Sequence, residues 1–472
     1  MRKHKLLLTL AFMCLSAVYT FGQPQHFSTS LHATRAGKPW WYAASNGGFE
    51  VLTNVPMTHP NMGCTQCHGA KNADGVLNGS NYQPGCVDCH PSNSFFNPDS
   101  LKESQCYSCH SRQGAEVSLG YTDVHRTAGK KCWDCHTTQD MHGNGTTYNN
   151  MFEYSINSGQ SVDCASSGCH TTLPASHAGK DPHNGKLHCT SCHSKSVISC
   201  YNCHFESQVN SYKKRARAQI RDFVILVNRQ KDNKVGIASF QSLTYQGKAF
   251  VAFGPYTPHT TVKTGARGCA DCHKNFGGQI SAIDEYNTSH VINFVKFNAA
   301  DSNLIVKKGI VPMPADYKST FKMDFLTYNG NTADTVLPSK NWSPIGKNTW
   351  DMHQMFYCSP LTKAQMAKIG MDTLLTSVNE IGGTISDYYL EQNYPNPFNP
   401  TTVIYYTVPE LGNITLKVYD VTGKEVKTLI DGTVRPGQHS IQFSGEGLSS
   451  GVYFYTLKGK NFTQTRKMIL AK

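Results

Sequence analysis

Long apolar runs are almost missing from this chain. Leu6 to Phe21 is the one extended run, and Thr9, Ser16 and Thr20 dilute it. It falls short of the ~20 apolar residues that a membrane span requires. Basic Arg2, Lys3 and Lys5 precede it. The pattern therefore reads as a secretory signal over residues 1–22, with cleavage expected after Gly22. Apolar residues are scarce overall, at 39% of 472 residues, and charged residues make up only 16%. Cysteines outside one recurring pattern are scarcer still. Of eighteen cysteines, only Cys14 and Cys358 stand apart from it. Met13, before Cys14, is not the small residue of a lipoprotein site, so Cys14 is expected to leave with the signal. Cys358 reads as a small core residue rather than a thiolate ligand.

The other sixteen cysteines form eight motifs, each ending in His. Seven are CxxCH: Cys64/Cys67/His68, Cys86/Cys89/His90, Cys106/Cys109/His110, Cys132/Cys135/His136, Cys189/Cys192/His193, Cys200/Cys203/His204 and Cys269/Cys272/His273. The fifth in chain order, Cys164/Cys169/His170, has two extra residues between its cysteines, and Gly168 eases the bulge they need. In an exported chain this pattern is the attachment site of haem c. Two thioethers hold the porphyrin and the adjacent His is the proximal iron ligand. Disulfides give no reason for a His after every second cysteine. Zinc sites join two close ligands to two distant ones, and neighbouring residues rarely converge on one tetrahedral centre. Eight covalent haems are the expected cofactors.

A net charge of +12 points at first sight to nucleic acid. Eight haems, however, would bring about sixteen propionate charges and return about eight on ferric iron, leaving roughly +4 oxidised and −4 reduced. No nucleic-acid partner is expected. The porphyrins would also supply apolar surface that the residues lack.

Each iron needs a sixth ligand or leaves a face open to substrate. Setting aside the motif histidines, His4 and His439, eleven remain: His26, His32, His59, His125, His142, His177, His183, His188, His259, His290 and His353. Eight would close every haem with two imidazoles. His125, His142, His188 and His259 stand nearest the motifs in sequence and are the first choices, with His32, His59, His177, His183, His290 and His353 the further candidates. His142 lies six residues after His136, too few to wrap to the other face of the same haem, so it is expected to serve a neighbour. No CxxCK occurs, so the Lys-ligated catalytic haem of nitrite-reductase type has no marker here, and no catalytic residue is assigned.

Residues 23–204 read as an N-terminal segment and a seven-haem cluster with turn-rich spacers. Residues 205–258 lack cysteine and read as a β-rich insertion, with strands at Phe223–Val227, Val235–Phe240 and Ala249–Phe253. Residues 259–375 would hold the eighth haem. Within them, Thr362–Gln365 is a capping box, Leu361 and Met366 form a staple, and Gly370 closes the helix. Residues 376–392 read as a linker. Residues 393–472 alternate as six short strands: Thr402–Val408, Ile414–Tyr419, Val426–Ile430, Ser440–Phe443, Val452–Lys458 and Arg466–Leu470. The expected fold class is a multihaem cytochrome c, mostly irregular with short helices and a small β insertion, packed around eight haems. A separate C-terminal all-β sandwich follows.

That last region, with Asn393 to Pro400, Val418 to Lys424 and Ser450 to Tyr455, resembles the type A C-terminal sorting domain of the type IX secretion system. The resemblance implies passage across the outer membrane by that machinery, with the domain removed at the surface. Over residues 24–370 the chain resembles octahaem cytochromes of the octahaem tetrathionate reductase group. The carriers are Cys132-Trp133-Asp134-Cys135-His136 with Met141-His142-Gly143, Cys200 to His204 closing the dense cluster, and Pro258-His259 before a separated eighth motif. From that group the architecture and electron transfer are carried over, not an activity. The expectation is a surface-exposed electron carrier whose partners are other redox proteins or extracellular acceptors, with self-assembly left open. The alternative is an oxidoreductase acting on a small sulfur or nitrogen compound at one open haem.

Overall fold

β-Branched and aromatic residues concentrate between positions 197 and 255, and there the chain forms its longest strands. The computed structural model describes residues 26–56, 59, 61, 85–94, 97–159, 162–165, 169–170, 177, 183–335, 339–373, 388–393, 396–434 and 437–471. The signal over 1–22, the first motif (Cys64, Cys67, His68) and the linker as far as 387 lie outside the described residues. The chain divides into two units, Met1–Thr373 and Leu374–Lys472. Among the described residues no helix is long and apolar enough to cross a membrane.

In the first unit, β1 (Val197–His204), β2 (Ala216–Arg229), β3 (Val235–Tyr245) and β4 (Lys248–Pro255) are central. The β2–β3 and β3–β4 turns place Asn233, Gln246 and Gly247 at φ 54°, 48° and 71°. Three later segments join the same sheet: β5 (Gly309–Pro312), β6 (Met352–Met355) and β7 (Cys358–Ser359). The order is β6-β4-β3-β1-β2-β7, with β5 also on β2. The small insertion expected at 205–258 is thus the middle of a seven-stranded sheet. Segments from both sides of it contribute, including the seventh motif on β1. The later strands have only two to four residues, too few to show a period of two. Phe223, Ile225, Phe240, Phe253, Phe294 and Phe321 are buried in its core. Side chains of this size contribute ~1.5–3 kcal/mol each on full burial. The helix Lys363–Lys368 starts at Thr362, whose hydroxyl accepts from Gln365 N while the Gln365 side chain accepts from Thr362 N.

Before β1 the described helices are short, four to eight residues, apart from brief 3₁₀ turns. They carry the third, fourth and sixth motifs, and among the described residues they form no apolar core cluster of their own.

The second unit is a β-sandwich. One sheet joins Tyr389–Leu390, Thr401–Val408 and Gly437–Ser444; the other joins Glu425–Val434, Gly412–Tyr419, Gly451–Gly459 and Phe462–Leu470. Thr402, Ile404, Tyr406 and Val408 alternate inward from one strand. Tyr389–Leu390 falls in the stretch expected as linker, because two residues of strand leave no periodic signature.

Candidate functional site

Six of the seven described motifs share one backbone device. The amide of the motif His donates to the carbonyl of the first Cys: His90 to Cys86 at 2.9 Å, His110 to Cys106 at 2.8 Å, His136 to Cys132 at 2.8 Å, His170 to Cys164 at 3.0 Å, His193 to Cys189 at 3.0 Å and His273 to Cys269 at 2.8 Å. This one-turn closure brings side chains three and four positions apart onto one face. In the fifth motif the same two groups bond across six residues instead of four, so its closure is wider than one turn. In motifs two, four and eight an Asp precedes the second Cys and caps the turn. Asp88, Asp134 and Asp271 accept from Gly85 N, Lys131 N and Gly268 N at 2.7, 2.9 and 2.8 Å. Sequence reasoning passed over these acids, although an acceptor three residues after a cap is a recognisable start signal.

Each of these six motif histidines faces a histidine from elsewhere. Ring-centre separations are 6.0 Å for His110–His32, 6.2 Å for His90–His142 and 6.1 Å for His170–His125. They are 6.3 Å for His136–His259, 5.9 Å for His193–His177 and 5.9 Å for His273–His183. His142 meets His90 and not the nearby His136. Desolvation by the surrounding protein holds His32, His90, His142 and His259 below the ordinary imidazole value and brings His110 down to about 4. They are thus neutral near pH 7, the form that binds metal. His193 Nδ1 lies 2.9 Å from the Val262 carbonyl and His273 Nδ1 2.8 Å from that of Lys368, which fixes the ring and leaves Nε2 free for a ligand role. His90 Nδ1 is buried and has no hydrogen-bond partner.

The motifs also touch one another. The thiol of Cys106 lies beside that of Cys132, and that of Cys164 beside that of Cys189. Cys89 lies within electrostatic reach of Cys106, Cys135 of Cys169, and Cys192 of Cys272. These contacts string the motifs in the order two, three, four, five, six, eight.

The cysteines are less enclosed than an expected haem-packed core implies. Cys109 differs from that expectation: it ends the helix Glu103–Cys109 and is exposed. Cys86, Cys89, Cys169, Cys189 and Cys269 are exposed as well. Protein side chains alone do not cover these residues, because the short helices and turns that carry them lack a continuous apolar core. The place of Cys109 as a cofactor-binding residue therefore rests on its motif and on the His110–His32 pair.

Other candidates fall elsewhere. His188 has both ring nitrogens engaged, Nδ1 with Thr190 Oγ1 at 2.7 Å and Nε2 with Asp163 at 3.1 Å, and it faces no motif histidine among the described residues. Its place beside Cys189 in sequence misled, because the ring turns into the protein. Asp163, Cys164 and His188 bring ligand atoms within 4.8 Å. Asp163 is already paired with Arg229 and Lys231, both at 3.8 Å, and the group reads as a brace. His290 Nε2 lies 3.1 Å from Asp316, and His353 packs against Tyr317 and Trp350. Among the described residues, neither these two nor His26 and His59 face a motif histidine; His68 lies outside that set.

The sandwich has its own signature. Tyr455 is fully buried, and its hydroxyl accepts from Asn393 N and donates to the Glu391 carbonyl, each at 2.7 Å. Residues 392–471 match the model of the secretion system C-terminal sorting domain. This tail directs the protein through the type IX system. Its destination is the cell surface or the extracellular space, and its partner in transit is the type IX machinery. Comparison with curated proteins gives no match. Two solved structures from Porphyromonas gingivalis are similar over a short stretch. Dimeric latent PorU shares 17% identity over 18% of this chain and 9% of its own, with a TM-score of 0.15. PorZ, an essential surface component of the type IX secretion system, shares 16% over 20% of this chain and 13% of its own, with a TM-score of 0.14.

Proposed function

We propose that the first unit is a multihaem c-type cytochrome that relays electrons at or beyond the cell surface. The six facing imidazole pairs carry this reading. An iron held between two imidazoles sets ring centres ~6 Å apart, from two metal–nitrogen bonds of ~2 Å and ~1.1 Å from each nitrogen to its ring centre. All six pairs fall at 5.9–6.3 Å. Without such an occupant, six imidazole pairs held at this spacing have no evident purpose. Cys86/Cys89, Cys106/Cys109, Cys132/Cys135, Cys164/Cys169, Cys189/Cys192 and Cys269/Cys272 would supply the thioethers, and each His pair both axial ligands. When bound, haem c supplies reversible one-electron transfer.

The residues then do three things. Paired imidazoles close both faces of each iron and deny a small molecule a coordination site. Distal ligands borrowed from distant segments, such as His32 for the third motif and His259 for the fourth, tie neighbouring cofactors into one body. Adjacent cysteines keep successive motifs in contact, so electrons need no mobile carrier between them. Partners would be other redox proteins or extracellular acceptors, as the secretion tail supports. The alternative of a sulfur- or nitrogen-compound oxidoreductase needs an open iron, which none of these six motifs would offer. Mature protein reduced with dithionite should be reoxidised by a soluble ferric chelate, with all its haem bands returning. Haem that stays reduced beside the chelate, but reoxidises with tetrathionate, nitrite or hydroxylamine, would favour the enzyme.

A further inference from the structure

We propose that the seventh motif, Cys200/Cys203/His204, forms no bis-histidine haem and stands outside the relay. This inference rests on the proposed function and concerns the one described motif that breaks its pattern. The motif lies on β1, paired with β2 on one side and, at Cys203 and His204, with β3 on the other. His204 N donates to the Arg215 carbonyl at 2.7 Å, not to Cys200, so the bond from motif His to first Cys that the other six share is missing. A strand spreads residues three apart over ~10 Å, where a helical turn brings them to ~5–6 Å.

The side chains agree with the backbone. Cys203 is 9% exposed and sits in an apolar cluster with Phe49, Phe205, Leu243 and Phe250. Between the cysteines, Asn202 is fully buried and locked. Its amide group donates to the Leu326 carbonyl at 2.7 Å and to Thr244 Oγ1 at 3.2 Å, while its Oδ1 accepts from Leu326 N at 2.8 Å. His204 is 4% exposed and faces no imidazole among the described residues. Its Nδ1 lies 2.9 Å from Ser207 Oγ and its Nε2 3.2 Å from Glu206, so protein groups occupy both nitrogens. Tyr328 and Trp342 stand edge-on to the ring at 5.9 and 6.1 Å. These residues do not fit a haem held as the other motifs would hold it. They make instead the junction of β1 with the strand Leu326–Tyr328.

The test uses mature full-length protein, with haem counted by intact mass and low-spin ferric haem by EPR spin quantitation. Seven or fewer bis-histidine equivalents are expected, and Cys200→Ser, at a half-buried thiol, should leave that number unchanged. Cys132→Ser is the positive control and should lower it by one. Eight bis-histidine equivalents in the parent, or loss of one in Cys200→Ser, would overturn the inference while leaving the relay intact. A protein without covalent haem would instead overturn the proposed function.

Discussion

His142 is the residue whose placement opposite a different motif the sequence reading anticipated most sharply. Six residues after His136 it cannot reach round to the far side of that motif, and the chain carries it to His90 at 6.2 Å. His142→Ala should therefore convert one low-spin haem to high-spin, visible as a charge-transfer band and as cyanide binding at one equivalent, with the haem count unchanged. A wholly low-spin spectrum in the variant would make His142 a bystander. His125 and His259, also first choices from sequence, face His170 and His136. His188 shows where such reasoning fails. Nearness along the chain says nothing about where a ring points, and Asp163 with Thr190 takes both of its nitrogens. His32, His177 and His183 lie far in sequence from the motifs they face or beside turn-rich spacers, so only the fold assigns them.

At the scale of elements, the motif turn was legible as composition but not as geometry. Spacing alone cannot distinguish a CxxCH on a helical turn from one on a strand, and β1 wins at Cys200–His204 because its neighbours Val197, Ile198 and Tyr201 are buried in sheet and core. The capping acids are the part of the turn that the sequence carries openly. Asp134→Ala should cost about 1 kcal/mol at the fourth motif's turn. Denaturant unfolding of the holoprotein measures it, and an unchanged midpoint would show that the thioethers alone hold the turn. In the sandwich all six expected strands occur, since alternation bounded by Gly- or Pro-bearing turns is a strong signal. There Tyr455→Phe leaves Asn393 N without its acceptor inside the core. Thermal unfolding of the sorting domain should show a loss of ~1–3 kcal/mol; a neutral result would mean that water replaces the hydroxyl.

The whole molecule joins the unit proposed to be organised by haems to a tail that takes it out of the cell. What the sequence could not show is the order of the motifs in space, because that order comes from pairings between distant segments, such as His136 with His259 and His183 with His273. It also could not show that the region after residue 259 returns to the same sheet as β2–β4. The tail was legible almost throughout, and its processing is open to direct test. Protein recovered from the medium or cell surface should end before Asn393, whereas cells lacking type IX secretion should retain the strands to Leu470. An uncut tail on surface protein would argue against removal. The central claim is that histidine pairs close the irons of this chain. EPR of the oxidised mature protein examines it most directly. The account predicts low-spin bis-imidazole signals from at least six haems, with no high-spin signal above one equivalent. A spectrum dominated by high-spin iron, or a protein with no haem signal at all, would contradict it.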